Sequence, residues 1–225
     1  QVADIGKEKR DPTRDPEKAF QYIDISAVDV STGSITNAQD VEGAEAPSRA
    51  RKVVRAFDIV VSTCRPTRGA VAVVPVHLHD QIASTGFSIV RARANVNPFY
   101  LHYALRLPST LEQFRKWSTG SSYPAILDSD VKKTIIPVPE PEIQDEIAAK
   151  VVVALSEREK VLRGANAVWT RTLAEITAAL CGAEPNGALD LTEYNEDLTA
   201  HSIADVLATL RELPALTTDK GKETE

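Results

Sequence analysis

Between Arg49 and Arg68, six basic side chains (Arg49, Arg51, Lys52, Arg55, Arg65 and Arg68) face a single acid, Asp58. Ser62, Thr63 and Thr67 are interleaved with them. Guanidinium groups are planar forks that match a guanine edge or a phosphate, and hydroxyls hydrogen-bond to either, so the chemistry this stretch offers is nucleic-acid binding. Arg49 and Arg51 fall on the same side of the chain if the strand alternates. A second polar stretch, Ser121, Ser122 and Tyr123, follows Thr119-Gly120 and is placed to reach a groove or backbone. The competing reading is a solvated charged face, since a surface ion pair taken singly is worth only about 0–1 kcal/mol. Clustering is what favours binding.

Other chemistry-bearing residues point less far. His77 and His79 alternate on an expected strand, but no Cys, His or acidic group completes a metal set, so no metal is expected. Cys64 beside Arg65 suggests an activated thiolate, yet no motif supplies a base. Asn97-Pro98-Phe99-Tyr100 is close to the motif with which amino-methyltransferases hold a flipped adenine. It lacks the second proline, and no glycine-rich turn for a methyl donor is present, so a capped helix start explains it better. Asp130-Val131-Lys132 matches only the end of a nuclease acidic pair. No catalytic residue and no cofactor are expected.

These residues need elements to position them. Residues 1–20 are charged and proline-punctuated, and read as a loosely ordered lead-in. Apolar alternation then predicts strands from Tyr22, a hairpin turn at 31–34, strands near 53–54, 59–61, 71–78 and 86–92, and a short strand at Ile135-Ile136. Asn97 as cap and Pro98 at the first position predict a helix, and a second runs from Thr110 to Trp117. Pro137, Pro139 and Pro141 precede the strongest periodic signal in the chain. From Ala148, Val152 and Leu155 the heptad seam continues through Leu162, Asn166, Trp169, Leu173, Ile176 and Leu180, with Glu159 and Asn166 its polar exceptions. A helix over 141–181 would be about 60 Å long and needs a partner helix. An Asn at such a seam position fixes register or faces solvent. Residues 182–225 read as an acidic tail with one short amphipathic helix (Ile203, Val206, Leu207, Leu210). The expectation is an α+β fold: a β-rich domain over 21–140 and one long coiled-coil-type helix over 141–181.

Charge distribution sharpens the picture. The net charge is −6, but residues 1–140 carry 18 Lys/Arg against 16 Asp/Glu, and the rest carries 8 against 16. The front is therefore close to neutral with a local basic stretch, which is enough to meet phosphate. The two cysteines, Cys64 and Cys181, with no signal-peptide-like start, favour a reduced cytoplasmic setting. The absence of Met predicts that the natural start lies elsewhere.

Five segments together resemble a known family: YIDISAVDVSTGSI at 22–35, APSRARKVVRAFDIVVSTCRP at 46–66, TGFSIVRA at 85–92, NPFYLHYALRL at 97–107 and TGSSYPAILDSDVKKTIIPVPEPEIQDEI at 119–147. In this order they resemble the target-recognition domain of type I restriction–modification specificity subunits. The closing segment, a Thr-Gly-Ser loop, then Ile-Pro-Val-Pro, then Glu and Ile leading into a long helix, looks like the family's junction between recognition domain and spacer. The resemblance implies a non-catalytic DNA-specificity subunit that directs adenine-N6 methylation and restriction to a bipartite double-stranded target. It also implies partners, an adenine-N6 methyltransferase subunit and a restriction motor-nuclease subunit, with self-pairing through the long helix. The chain departs from the usual pattern in having one recognition domain and one long helix. The alternatives are the recognition end of a fused methyltransferase or restriction enzyme, and a coiled-coil protein-interaction module. On this reading the loop at 119–123 packs the domain against the spacer.

Overall fold

The computed structural model describes residues 2–120 and 122–181, and divides into two units, 1–148 and 149–225. The expected acidic tail and its short helix lie outside the described residues.

The first unit is built on two four-stranded sheets. One has the order β1 (Ala3–Ile5), β10 (Phe87–Ala92), β7 (Ile59–Ser62), β8 (Val71–Val73), all antiparallel. The other has the order β5 (Gln39–Glu42), β2 (Ala19–Ile23), β9 (Ile82–Ser84), β6 (Ala50–Val53), with β2 and β9 parallel. A small hairpin, β3 (Val28–Asp29) and β4 (Ser34–Ile35), turns through Gly33 at φ 73°. Ile59-Val60-Val61 of β7 is an unbroken apolar run because both faces of the strand are covered. Val60 joins Ile23, Val54, Phe87 and Ile89 in one core cluster, whereas Ile59 and Val61 point the other way. There they meet Leu101 and Leu105 of α1 (Pro98–Leu105), Phe114 of α2 (Pro108–Trp117) and Val131 of α3 (Asp128–Lys133).

Three expectations are corrected. Residues 2–20 are not a loose lead-in. Strand β1 pairs with β10, the Gly6 N–H donates to the Ile89 carbonyl at 2.8 Å, and Arg10 holds Asp80 at 2.6 Å. These bonds are polar and long-range, so apolar periodicity could not reveal them. The expected strand over 71–78 stops at Val73, since Pro75 lacks a ladder donor and residues 76–78 turn as a 3₁₀ helix carrying His77. Ile135 and Ile136 form no strand either. The Gln113 side chain donates to the Ile135 carbonyl (2.8 Å) and accepts from its N–H (2.9 Å), taking the place of a neighbouring strand.

The long helix α4 spans Pro141–Cys181, with proline at its first position as the residue type favours. Its first turns are sewn into the first unit. Gln144 is buried; its amide oxygen accepts from the Asn97 N–H (3.0 Å) and its amide nitrogen donates to the Pro139 carbonyl (2.8 Å). Tyr100 Oη donates to the Pro137 carbonyl at 2.7 Å.

Candidate nucleic-acid interface

The basic stretch separates into side chains that hold the fold and side chains left for a ligand. Arg51 donates to the carbonyls of Pro47 (3.3 Å) and Ala50 (2.8 Å) and pairs with Asp11 at 3.4 Å. Lys52 Nζ donates to the Phe87 carbonyl at 2.6 Å and lies 3.3 Å from Asp128, with its side chain only 12% exposed. Arg55 pairs with Glu8 at 2.8 Å. The hydroxyls divide likewise. Ser62 is buried and donates to the Cys64 carbonyl at 2.8 Å, and Thr63 donates to the Gly86 carbonyl through both N–H and Oγ1. Of the residues expected to meet DNA, then, Arg51, Lys52, Ser62 and Thr63 have their polar groups engaged within the domain.

Arg49, Arg65, Thr67, Arg68, Ser122 and Tyr123 form the other group. Arg49 is exposed immediately before β6, and its carbonyl accepts from the Thr85 N–H, next to the Gly86 that binds Thr63. Arg65 ends the chain segment after β7 in a left-handed conformation (φ 48°, ψ 52°) directly before Pro66. Both facts run against its preferences: a side chain with a Cβ disfavours this region, and a following proline disfavours helical backbone. The strain is of order 1–3 kcal/mol. Several bonds hold it. The Arg65 N–H donates to the Pro124 carbonyl at 2.7 Å, the Ile126 N–H to the Thr63 carbonyl at 3.0 Å, and Cys64 pairs with Ala125 as an isolated antiparallel bridge. A 3₁₀ turn over Pro66–Arg68 then presents Thr67 and Arg68 to solvent and closes at Gly69, φ 73°.

The partner of this turn is the loop at 119–126, with its first part, 119–123, expected to pack against the spacer. It folds on itself through reciprocal bonds between Thr119 and Ala125 (3.0 and 2.9 Å). Gly120 permits this with φ 90°, where an added Cβ would stand 3.0 Å from the Tyr123 carbonyl. Ser121 lies outside the described residues. Ser122 is exposed, and Tyr123 is 77% exposed with the Arg65 guanidinium 5.1 Å from its ring centroid. The two stretches singled out in the sequence are thus one surface. Their pairing could not be read there, because neither carries a signal for the other.

Partnering of arginines distinguishes this surface from the rest of the first unit. Arg10, Arg51, Arg55, Arg91, Arg93, Arg106 and Arg115 are held by carboxylates or carbonyls. Among the described residues of the first unit, Arg14, Arg49, Arg65 and Arg68 have neither kind of partner, and of these only Arg65 has an aromatic one.

The remaining candidates resolve as structural. Asn97 Oδ1 caps α1, accepting from the N–H groups of Phe99 (2.9 Å) and Tyr100 (3.2 Å). Asp130 accepts from the Leu127 N–H at 2.9 Å at the start of α3. His79 Nδ1 accepts from the Ala56 N–H, and among the described residues no group of three His, Cys, Asp or Glu is placed to hold a metal. Cys64 is an exposed free thiol.

Along α4, described by itself, the heptad seam is uncovered among the described residues. Val152 and Leu155 are half-buried; Leu162, Trp169, Leu173, Ile176 and Leu180 are exposed, from 43% at Leu173 to 82% at Leu180, and Asn166 is exposed between them.

The fold and site thus present a mixed-sheet domain with exposed arginines and an aromatic on one surface, followed by a 41-residue helix with an exposed apolar seam. The comparisons make that description particular. The chain is 28% identical over 149 residues to the type I restriction enzyme HindI specificity subunit of Haemophilus influenzae, covering 65% of this chain and 30% of that protein. Its structure matches the HsdS subunit from Thermoanaerobacter tengcongensis at TM-score 0.64 and 37% identity, over 84% of this chain and 50% of the other. It also matches a chain from a solved structure concerned with assembly and conformational transition of the type I R-M system, at TM-score 0.62 and 34% identity, over 84% and 52%. No family model matches the chain. The chain is thus similar in sequence and in fold to type I restriction–modification specificity subunits. It spans about half the length of the solved relatives and less than a third of the HindI subunit.

Proposed function

We propose that this chain reads double-stranded DNA as one half of a bipartite specificity unit, directing an adenine-N6 methyltransferase subunit and a restriction motor-nuclease subunit to their target without itself catalysing a reaction. The observation that carries this is the surface where Arg65 and Arg68, without carboxylate or carbonyl partners among the described residues, stand beside Thr67, Ser122 and Tyr123, with Arg49 likewise unpaired just before β6. The uncovered seam of α4 supports pairing with a second copy, which would bring two reading surfaces to one duplex. The setting that fits is the cytoplasm; among the described residues no helix is long and apolar enough to cross a membrane.

Duplex binding by the chain with its methyltransferase partner, measured by fluorescence anisotropy over a salt series, tests the reading. Each phosphate contact contributes a slope of about −0.9 in log K against log salt. Replacing Arg49 and Arg68 together by Ala should flatten the slope by about two such contacts and weaken binding to all duplexes alike. Mapping methylated adenines in cells with and without the gene should show one motif lost. Equal affinity for every duplex sequence, with no motif lost, would sink the proposal.

A further inference from the structure

We propose that Arg65, stacked on Tyr123, is the base-reading arginine of this surface and takes a guanine by its major-groove edge. This inference rests on the DNA-recognition reading above and gives it a specific residue and base.

A guanidinium that meets a phosphate needs only charge and reach, which a solvated, mobile side chain supplies. One that reads a base must lie in the plane of the base pair and present two N–H groups at once. Arg68 and Arg49 suit the first role: both are exposed, and neither has an aromatic partner among the described residues. Arg65 is arranged differently at every level. Its backbone is locked in a left-handed conformation between the Pro124 carbonyl and the 3₁₀ turn that its own carbonyl closes by accepting from the Arg68 N–H at 3.0 Å. Its guanidinium carbon lies over the Tyr123 ring, 5.1 Å from the centroid, a contact that anchors the group, and no carboxylate or carbonyl among the described residues takes up its N–H donors. Tyr123 is itself 77% exposed, so core packing does not account for its place. Glycine would relieve the backbone at position 65 but has no fork to offer. Phe57 and Asp80 share the left-handed region, and what sets Arg65 apart from them is the pairing of that backbone with a guanidinium over an exposed ring.

The fork selects the base. Guanine offers two acceptors, N7 and O6, on its major-groove edge. Adenine offers one acceptor and one donor, thymine one acceptor and a methyl group, and cytosine a donor. A fixed pair of donors meets two acceptors on guanine alone, and a good bidentate pair discriminates by about tenfold to a hundredfold.

The test uses the full protein carrying this chain, with its methyltransferase subunit, and a pool of random duplexes. Wild type should select a motif containing guanine. Each guanine of the motif is then replaced by 7-deazaguanine, which keeps base pairing but removes the N7 acceptor. One replacement should weaken wild-type binding about tenfold and should leave Arg65→Gly, which has no donor to lose, unaffected. Tyr123→Phe should keep the preference at that position, and Tyr123→Ala should lose most of it. Arg65→Gly should lose the preference there alone while melting at or above the wild-type temperature. The inference is overturned if the motif has no guanine, if every deaza replacement acts equally on wild type and Arg65→Gly, or if Arg65→Gly lowers the melting temperature. Failure of wild type to select any motif overturns the DNA-recognition reading itself.

Discussion

His102 shows how one side chain ties distant parts of the domain together. It is buried on α1, with Nε2 3.2 Å from the Val71 carbonyl of β8, so the neutral ring donates its Nε2–H there. The same region holds Arg106, which donates to the carbonyls of Val30, Ser31 and Thr32 and so clamps the hairpin turn. Gly33 at that turn leaves no space for a Cβ between the His102 ring and the Arg106 guanidinium. Burial, with the nearby Arg106 charge, lowers the His102 pKa from 6.5 to about 4. The unfolded chain therefore takes up a proton near pH 6.5 that the native state refuses until about pH 4. Stability from this group is complete above pH 6.5 and is lost as pH falls towards 4, a change of about 3 kcal/mol. Urea titrations at pH 7, 5.5 and 4.5 should show this decline, and His102→Gln should flatten it. An equal decline in the variant would assign the pH dependence to other groups.

Elements were legible in the sequence where their signals are local. Asn97 and Pro98 announce α1 because a cap and its donors lie within three residues, and α4 announces itself by the repetition of its seam. Strand β1 was not legible, since what holds it is pairing with β10 some 85 positions away. Within the candidate site the segments were legible and the engaged side chains were not: Lys52 is taken up by the Phe87 carbonyl and Asp128, which nothing near it in the chain foretells. The seam of α4 carries its own prediction. Two helices pairing through Leu162, Trp169, Leu173 and Ile176 would cover side chains now 43–61% exposed, at about 25 cal/mol per Å² of apolar surface removed from water. Leu173→Asn should therefore weaken self-association at least tenfold in sedimentation at graded concentrations, whereas Glu175→Gln, off the seam, should not. Equal association by both variants would remove the seam from the interface.

At the scale of the whole molecule, a chain of net charge −6 gains little from long-range attraction to DNA, so recognition depends on short-range contacts at the correct separation. In the proposed pair of copies, that separation follows from helix length and seam phase. Inserting seven residues between Leu162 and Trp169 keeps the heptad phase and lengthens the helix by about 10 Å. At about 34–36 Å per 10–10.5 bp, this equals roughly 3 bp. Methylome mapping of cells carrying the insertion should thus show both half-sites unchanged and the spacer between them wider by about 3 bp. An insertion of five residues breaks the seam and should abolish methylation rather than shift it. If the seven-residue insertion left the spacer as before, α4 could not be the element that sets the distance between reading surfaces, because a rigid spacer cannot grow by two turns without moving what it carries.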